Sequence, residues 1–417
     1  MNEKCFVING GNTLNGSVEV NGAKNAVLPL LAVGILTDED VIIENCPYIS
    51  DIDNMARLLI GLGAEVVRDG ARIRVSGSVK RGAAEPELYK TMRSSMFMLG
   101  ALLAVLKEAD MPTPGGCDIG ARPLDIHLEG LKKMGARTYC DGQTLRCRAD
   151  RLHGAKIVMR YPSVGATENL LMCASLAEGV TELINCAREP EIVSLASALK
   201  AMGAKISGEG TSVIRVEGVD RLHGATLRPC GDRIVAGTVI SAVALCGGNV
   251  TVYGAKANDM RAVLQAFRSD YCDIEENGVG LVVRSNGKVR AKSVITAPFP
   301  LFPTDMQPQF LACQCFSDGV SRIEETVFEN RFAHVGELEK LGADISVHRN
   351  CATVAGGRLH SGDVRATDLR AGAGLCVACM KTEGKSRVFN THYIDRGYED
   401  FANLFSSLGV DIELSAT

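Results

Sequence analysis

A chain of 417 residues is longer than one hydrophobic core usually spans, so length alone predicts two domains. Its net charge of -4 lacks the basic footprint of a nucleic-acid or anionic-membrane binder, and any anionic ligand must be held by a local cluster of cations. No stretch reaches the roughly 18 consecutive apolar residues of a membrane span, and MNEKCFVING has no basic region followed by an apolar run, so neither a transmembrane helix nor a signal peptide is expected.

The 15 cysteines are odd in number and irregularly spaced, which points to a reducing, cytoplasmic compartment and not to a disulfide framework. The CxxC from Cys376 to Cys379 lies inside the apolar run AGAGLCVACM and reads as a packed helix. Without a second pair or an HxxxH beside it, no metal site is expected.

Taken in order, the chain is six copies of one unit. The signature is an amphipathic helix that ends in Gly-Ala and leads into a short strand: LLIGLGAEV at Gly63, LKKMGARTY at Gly135, LKAMGAKIS at Gly203, LEKLGADIS at Gly342, and LFSSLGVDIE at Gly409. A degenerate fourth copy, AFRSDYCDIE, carries Tyr271 and Cys272 in place of Gly-Ala. With Tyr271 standing for the missing glycine, the copies are 67 to 72 residues apart. Glycine is the expected helix stop because it takes the left-handed conformation at little cost. Upstream comes a strand entered through a polar Gly turn, as in LAEGVTELINC, LCGGNVTVYGA, FSDGVSRIEET and KTEGKSRVFNT. These strands alternate apolar and polar residues, as half-buried strands do. A unit of this length and mixed content is a small α/β subdomain, and three copies packed on a shared helical core would make each domain.

The unusual residues fall in the loops between strand and helix: Cys117 and Arg122 in the second copy, Arg188 and Glu191 in the third, Arg331 in the fifth, Arg396 in the sixth. Loops entering helix N-termini suit anions. The most distinctive is PGGCDIGARPLDIHL, from Pro114 to Leu128, where prolines and glycines rule out continuous helix or strand. A cysteine displayed there, near a guanidinium, is one whose thiol chemistry is tuned, whereas most of the others are small core residues. Asp305, in FPTDMQPQ, reads two ways from its neighbours: as a helix N-cap after Pro303 or as a carboxylate kept for chemistry. Lys24, taken alone, reads as a solvated surface lysine.

The motifs NGAKNAVLPLL, PGGCDIGARPLDIHLEGL, YPSVGATENLL, AREPEIV, GDRIVAGT, FPTDMQPQF, ETVFENRFAHV, ATDLRAGAGL and YIDRGYE, in this order, resemble those of the enolpyruvyl transferases over essentially the whole chain. The resemblance implies two inside-out α/β barrel domains built from six repeats of about 70 residues. Residues 22–230 would form the first, carrying the cysteine loop, and residues 1–21 with 231–417 the second, with the active site in the cleft between them. Two crossings, near Gly22 and Cys230, suit hinge closure over substrate. The branch most similar to this chain transfers enolpyruvate from phosphoenolpyruvate to the 3'-hydroxyl of UDP-N-acetylglucosamine and releases phosphate. That is the first committed step of peptidoglycan synthesis, and it uses no cofactor.

By that resemblance Cys117 is the proton donor to the methylene carbon and can form a covalent adduct with phosphoenolpyruvate; a thiol is both nucleophilic and protonatable near neutral pH. Asp305 is the base for the sugar hydroxyl. Lys24 and Asn25 contact phosphoenolpyruvate, and Arg122 and Arg396 complete its anion pocket. Arg331 and Arg370 either join them or hold their own loops or the two domains through ion pairs, with Asp368 as the expected partner. UDP-N-acetylglucosamine falls to Arg93, to the run Arg122, Pro123, Leu124, Asp125 and Ile126, and to Asp305 and Val327. Ser163, Val164 and Gly165 would bring backbone amides to its diphosphate. His127 is expected only to cap or pack at its helix start. In one departure, a lysine that many relatives carry just before the SVG segment is replaced by Tyr161-Pro162. Two rivals stand beside this reading. A shikimate 3-phosphate acceptor is disfavoured by the cysteine loop and SVGAT, and an idle paralogue that binds the UDP-sugar by the retention of Cys117, Lys24, Asp305 and Arg396.

Overall fold

Among the described residues each repeat contributes an inner and an outer helix of opposite character, and the glycine signature, where present, follows the outer one. The computed structural model describes residues 3–90, 93–112 and 124–416, apart from the side chains of 90, 93 and 94. The described residues form two compact units, one from those between 22 and 230 and one from those up to residue 21 together with those from 231 onward. In the first, the inner helices are Lys24–Val33, Phe97–Leu106 and Val164–Ser175, and the outer ones Ser50–Leu62, Asp125–Lys133 and Pro190–Ala201. In the second, the inner helices are Arg233–Cys246, Gln307–Gln314 and Leu369–Lys381, and the outer ones Arg261–Phe267, Val335–Glu339 and Phe401–Ser406.

A helix that is apolar on every face has no side to offer water and must lie at a centre. Every residue of Lys24–Val33 except Asn25 is buried, and Cys376 and Cys379 are fully buried within Leu369–Lys381. The inner helices approach closely. A Cβ on Gly100 would stand 2.3 Å from the Asn169 carbonyl oxygen, and Asn169 Oδ1 accepts the Gly100 amide at 2.6 Å. In the second unit a Cβ on Gly374 would meet the Pro308 carbonyl oxygen at 2.8 Å.

Among the described residues three sheets lie around each core. Five are four-stranded: in four of them a hairpin follows a first strand, in the fifth the N- and C-terminal strands of the chain take the hairpin's place, and in all five another strand lies parallel to the first. Thus Ala225–Leu227 runs parallel to Val41–Ile43, so the end of the first unit closes onto its start. The N-terminal strand Lys4–Gly10 lies antiparallel between Gly384–Phe389 and Asp411–Ala416, which ties the first residues of the chain to its last repeat. In the sheet of Glu108–Pro112, Thr144–Arg148 and Arg137–Cys140, a single bond from the Asp110 amide to the Gly82 carbonyl, at 2.8 Å, stands where the others have a fourth strand.

The five repeat glycines end or follow their outer helices with φ between 93° and 104°. The fourth copy needs no glycine because its chain leaves the helix differently. Arg268 turns extended, and Asp270 and Tyr271 form a two-residue turn closed by reciprocal backbone bonds between Ser269 and Cys272, at 2.9 and 3.2 Å. Tyr271 lays its ring against the Arg290 guanidinium, 4.7 Å from the ring centre, and Cys272 enters the core.

The close helix approach is testable. Gly100→Ala is expected to cost about 1–3 kcal/mol through overpacking, read as a lowered urea midpoint. Gly336→Ala, whose Cβ would meet nothing within 4 Å, is expected to leave the midpoint where it is. Equal midpoints would show that the helices do not touch at Gly100.

Candidate active site

In the second unit each inner helix is entered by an aspartate: Asp232, Asp305 and Asp368. A carboxylate at a helix start ordinarily accepts the open backbone N–H groups of the first turn. Asp232 does so from Ile234 and Val235 at 2.9 and 3.0 Å, and Asp368 from Arg370 and Ala371 at 2.8 and 3.1 Å. Asp305 does not. It lies inside a short 3-10 turn, Thr304–Met306, with Pro303 at the N-cap position and no side-chain cap. The N-cap alternative for this residue is therefore set aside.

Its carboxylate goes instead to two arginines. Oδ1 is 3.3 Å from Arg331 Nη2, and Oδ2 is 3.1 Å from Arg370 Nη2. Both arginines are buried, whereas the Asp305 side chain keeps 29% of its surface open. Arg331 also reaches Asp368 at 3.5 Å and the Thr304 carbonyl at 3.2 Å. Arg331 and Arg370 are thus both paired with carboxylates, and Asp368 is a partner of Arg331. Burial alone would pull the Arg370 guanidinium towards neutrality, but the attraction of Asp305, then of Tyr398 and Asp232, outweighs it and raises its pKa.

Two further groups steady this corner. Glu325, buried, accepts the backbone amides of Val327 and Phe328 at 2.8 and 3.1 Å and the Thr304 hydroxyl at 3.0 Å. It thereby ties the half-buried Val327 to the residue before Asp305. Arg396 ends the 3-10 helix Thr391–Arg396 and is half-buried.

In the first unit Lys24 opens its inner helix and is buried, not solvated, with Nζ 2.5 Å from the carboxylate of the equally buried Asp51. Asn25 beside it is half-buried. Ser163 caps Val164–Ser175 by accepting the Ala166 amide at 3.3 Å, so Val164 and Gly165 form the first turn, whose backbone amides point out of the helix start. Leu124, Asp125 and Ile126 enter the helix Asp125–Lys133. Asp125 bonds Arg160, which also approaches Glu129 at 3.5 Å, and that bond lowers the Asp125 pKa. His127 packs within its helix, Nδ1 3.1 Å from the Asn169 amide nitrogen. Cys117, Arg122 and Pro123 lie outside the described residues, as does the side chain of Arg93. Asp51, Glu325, Asp232 and Arg160 had no signal of their own in the sequence; the threefold recurrence of Asp at the inner helix starts was the one pattern that could have found Asp232.

His334, fully buried beside Arg331 and Asp368, is pushed down to about 4 by burial, with Arg331 adding to the effect and Asp368 opposing it. The folded protein therefore holds a neutral ring. As the pH falls from about 6.5, the usual histidine value, towards 4, the unfolded chain takes up a proton there that the folded chain refuses. Stability is expected to drop across that window by up to roughly 1.4 kcal/mol per pH unit from this residue. His334→Gln should flatten the slope in urea titrations at pH 7, 6 and 5. The same slope in the variant would assign the acid sensitivity elsewhere.

The comparisons with known proteins agree with this architecture. A family described as EPSP synthase (3-phosphoshikimate 1-carboxyvinyltransferase) matches residues 8–405. The enolpyruvyl transferase NikO from Streptomyces tendae superposes with a TM-score of 0.88 at 25% identity, over all of both chains. EPSP synthase from Acinetobacter baumannii shares the fold, with a TM-score of 0.76 at 18% identity over 99% of this chain and all of that one. The chain belongs to the enolpyruvyl transferase family, and its fold is the enolpyruvyl transferase fold. Within the family it is similar end to end to proteins named UDP-N-acetylglucosamine 1-carboxyvinyltransferase. It is 46% identical to that of Dinoroseobacter shibae and 42% identical to that of Gluconobacter oxydans, each over 98% of both chains.

Proposed function

We propose that this enzyme transfers the enolpyruvyl group of phosphoenolpyruvate to the 3'-hydroxyl of UDP-N-acetylglucosamine and releases inorganic phosphate, at the entry to peptidoglycan synthesis. The observation that carries the reading is Asp305: of three aspartates at equivalent helix starts, it alone is withheld from capping, held by two buried arginines and left open on one side. The identity to the nucleotide-sugar enzymes over 98% of the chain supports the choice of acceptor.

The reaction adds an alcohol across the enol double bond and then expels phosphate. Asp305 accepts the proton of the sugar hydroxyl as its oxygen bonds to C2 of phosphoenolpyruvate, while the Cys117 thiol delivers a proton to C3 and turns the methylene into a methyl. Return of a proton from that methyl to the Cys117 thiolate then expels phosphate from C2 and restores the double bond, now as an enol ether. Lys24, Asn25, Arg122 and Arg396 neutralise the phosphate and carboxylate. Arg331 and Arg370, engaged with Asp305, are assigned to aiming the base, with their outer edges left to the substrate's charge. Leu124, Asp125, Ile126, Ser163, Val164, Gly165 and Val327, with Arg93, Arg122 and Pro123, are assigned to the nucleotide sugar. We place the enzyme in the cytoplasm: every cysteine among the described residues is a free thiol, and no helix among them is long and apolar enough to cross a membrane.

Purified protein with phosphoenolpyruvate is expected to release phosphate when UDP-N-acetylglucosamine is added and none with shikimate 3-phosphate; the reverse pattern would move the protein to the other acceptor. Asp305→Ala should lower kcat about 100- to 10,000-fold while nucleotide-sugar binding stays measurable by calorimetry, and near-normal turnover would remove Asp305 from the mechanism. Fosfomycin, an epoxide that mimics phosphoenolpyruvate, should add its mass to Cys117 in the presence of the nucleotide sugar. An unchanged intact mass after long exposure would deny that thiol its reactivity.

A further inference from the structure

We infer that Glu325 is a positioning residue that keeps the catalytic base in register with the nucleotide sugar: one carboxylate oxygen holds the loop that carries Val327, and the other holds the turn that carries Asp305. The inference rests on the assignments of Asp305 as the base and of Val327 to UDP-N-acetylglucosamine.

Glu325 follows the strand Val320–Glu324 and is 3% exposed. Its backbone is fixed by Asn350: the Glu325 amide donates to the Asn350 carbonyl at 2.8 Å, and Asn350 Nδ2 donates to the Glu325 carbonyl at 3.2 Å. Oε1 accepts the amides of Val327 and Phe328 at 2.8 and 3.1 Å, and Oε2 accepts the Thr304 hydroxyl at 3.0 Å. Thr326, between them, is tied to Thr296, its amide donating to Oγ1 at 2.9 Å and its hydroxyl to the carbonyl at 2.5 Å. The segment then runs to Arg331, whose Nε and Nη2 donate to the Thr304 carbonyl at 3.3 and 3.2 Å, and whose Nη2 reaches Asp305 Oδ1 at 3.3 Å. Residues 325–331 are therefore stapled to Thr304 and Asp305 at both ends, with Val327 between the staples.

A buried carboxylate is a costly acceptor, since its lost hydration must be made good by hydrogen bonds. Two backbone amides and a hydroxyl do that here, and because the amides can only donate, Oε1 is fixed as their acceptor. A clamp on the loop alone would need no more than those two amides. The third bond leaves the loop for a residue 21 positions away in the chain, and it is the one that sets where the Asp305 turn lies relative to Val327. Arg331 aims the Asp305 carboxylate, and Glu325 places the turn that bears it. A base must stand about 2.6–3.2 Å from the oxygen whose proton it takes. An error near 1 Å can cost about 100-fold, so a sugar seated on Val327 meets Asp305 productively only while this bridge holds.

The test cuts the bridge at one side and then at both. Thr304→Val keeps the side-chain shape, removes the hydroxyl and leaves Glu325 on its loop. We expect kcat for phosphate release to fall at least fivefold with the Kd for UDP-N-acetylglucosamine within twofold of wild type, whereas Thr304→Ser restores kcat. A smaller fall, a Kd outside that range, or equal kcat in the two variants overturns the inference. Glu325→Met removes both oxygens and releases the loop as well, so its kcat should fall at least as far and its Kd should rise at least threefold; a Kd that stays below that overturns the inference. Should Glu325→Met fail to fold, the Thr304 pair decides alone. If wild type releases phosphate with neither acceptor, or only with shikimate 3-phosphate, the functional reading fails, and the inference is then judged by a crystal structure of Thr304→Val. Asp305 should be displaced there relative to Val327 by about 1 Å or more, and an unchanged separation overturns the proposal.

Discussion

A helix with no polar face can lie only where water does not reach, and the architecture follows from that constraint. Three such helices in each unit exclude solvent from one another, and the sheets and amphipathic helices cover what remains. The bodies of these helices are buried, and the few polar side chains they carry, such as Asn169 and Gln314, are buried with them. At their N-termini the open N–H groups of each first turn must find acceptors, and side chains supply them at three of these starts: Ser163 in one unit, Asp232 and Asp368 in the other. In the second unit, then, the obligations of helix termini place three aspartates, and one of the three is exempted from capping.

That exemption separates structure from function in this molecule. Asp232 and Asp368 discharge the capping duty, so an aspartate at this place in the repeat is first of all a structural residue. Asp305 makes no such cap because it lies inside a 3-10 turn that precedes its helix, and Arg331 and Arg370 take its two oxygens. The buried charges near it are opposed by charge: Arg331 lies between Asp305 and Asp368, and Arg370 against Asp305, as Lys24 lies against Asp51 in the other unit. Pairs of this kind contribute little net stability, since desolvation consumes most of the attraction. They fix orientation instead, and orientation is what proton transfer to a bound hydroxyl requires.

Much of this could be read from the chain alone, because it is written in local patterns. The glycines at 63, 135, 203, 342 and 409 report a left-handed residue after each outer helix, a demand of backbone sterics that needs no knowledge of neighbours. The sixfold period, the alternating strands and the buried CxxC helix are local in the same sense. The inner helices were not distinguished from other apolar runs, since periodicity vanishes when every face is buried. Lys24 read as a surface lysine because nothing nearby in sequence announces Asp51, which stands 27 residues further on in another helix.

The amino-acid sequence by itself determined the family, the six repeats, and the residue types that enolpyruvyl transfer calls for, because each depends on motifs a few residues long. Only the tertiary structure decided what those residues do with their charges: that Asp305 caps neither its own 3-10 turn nor the helix after it, and that Arg331 and Arg370 turn to it. Such partners lie tens of residues apart along the chain, and a Coulombic or hydrogen-bonded contact acts through space, over a few ångströms that no local pattern records.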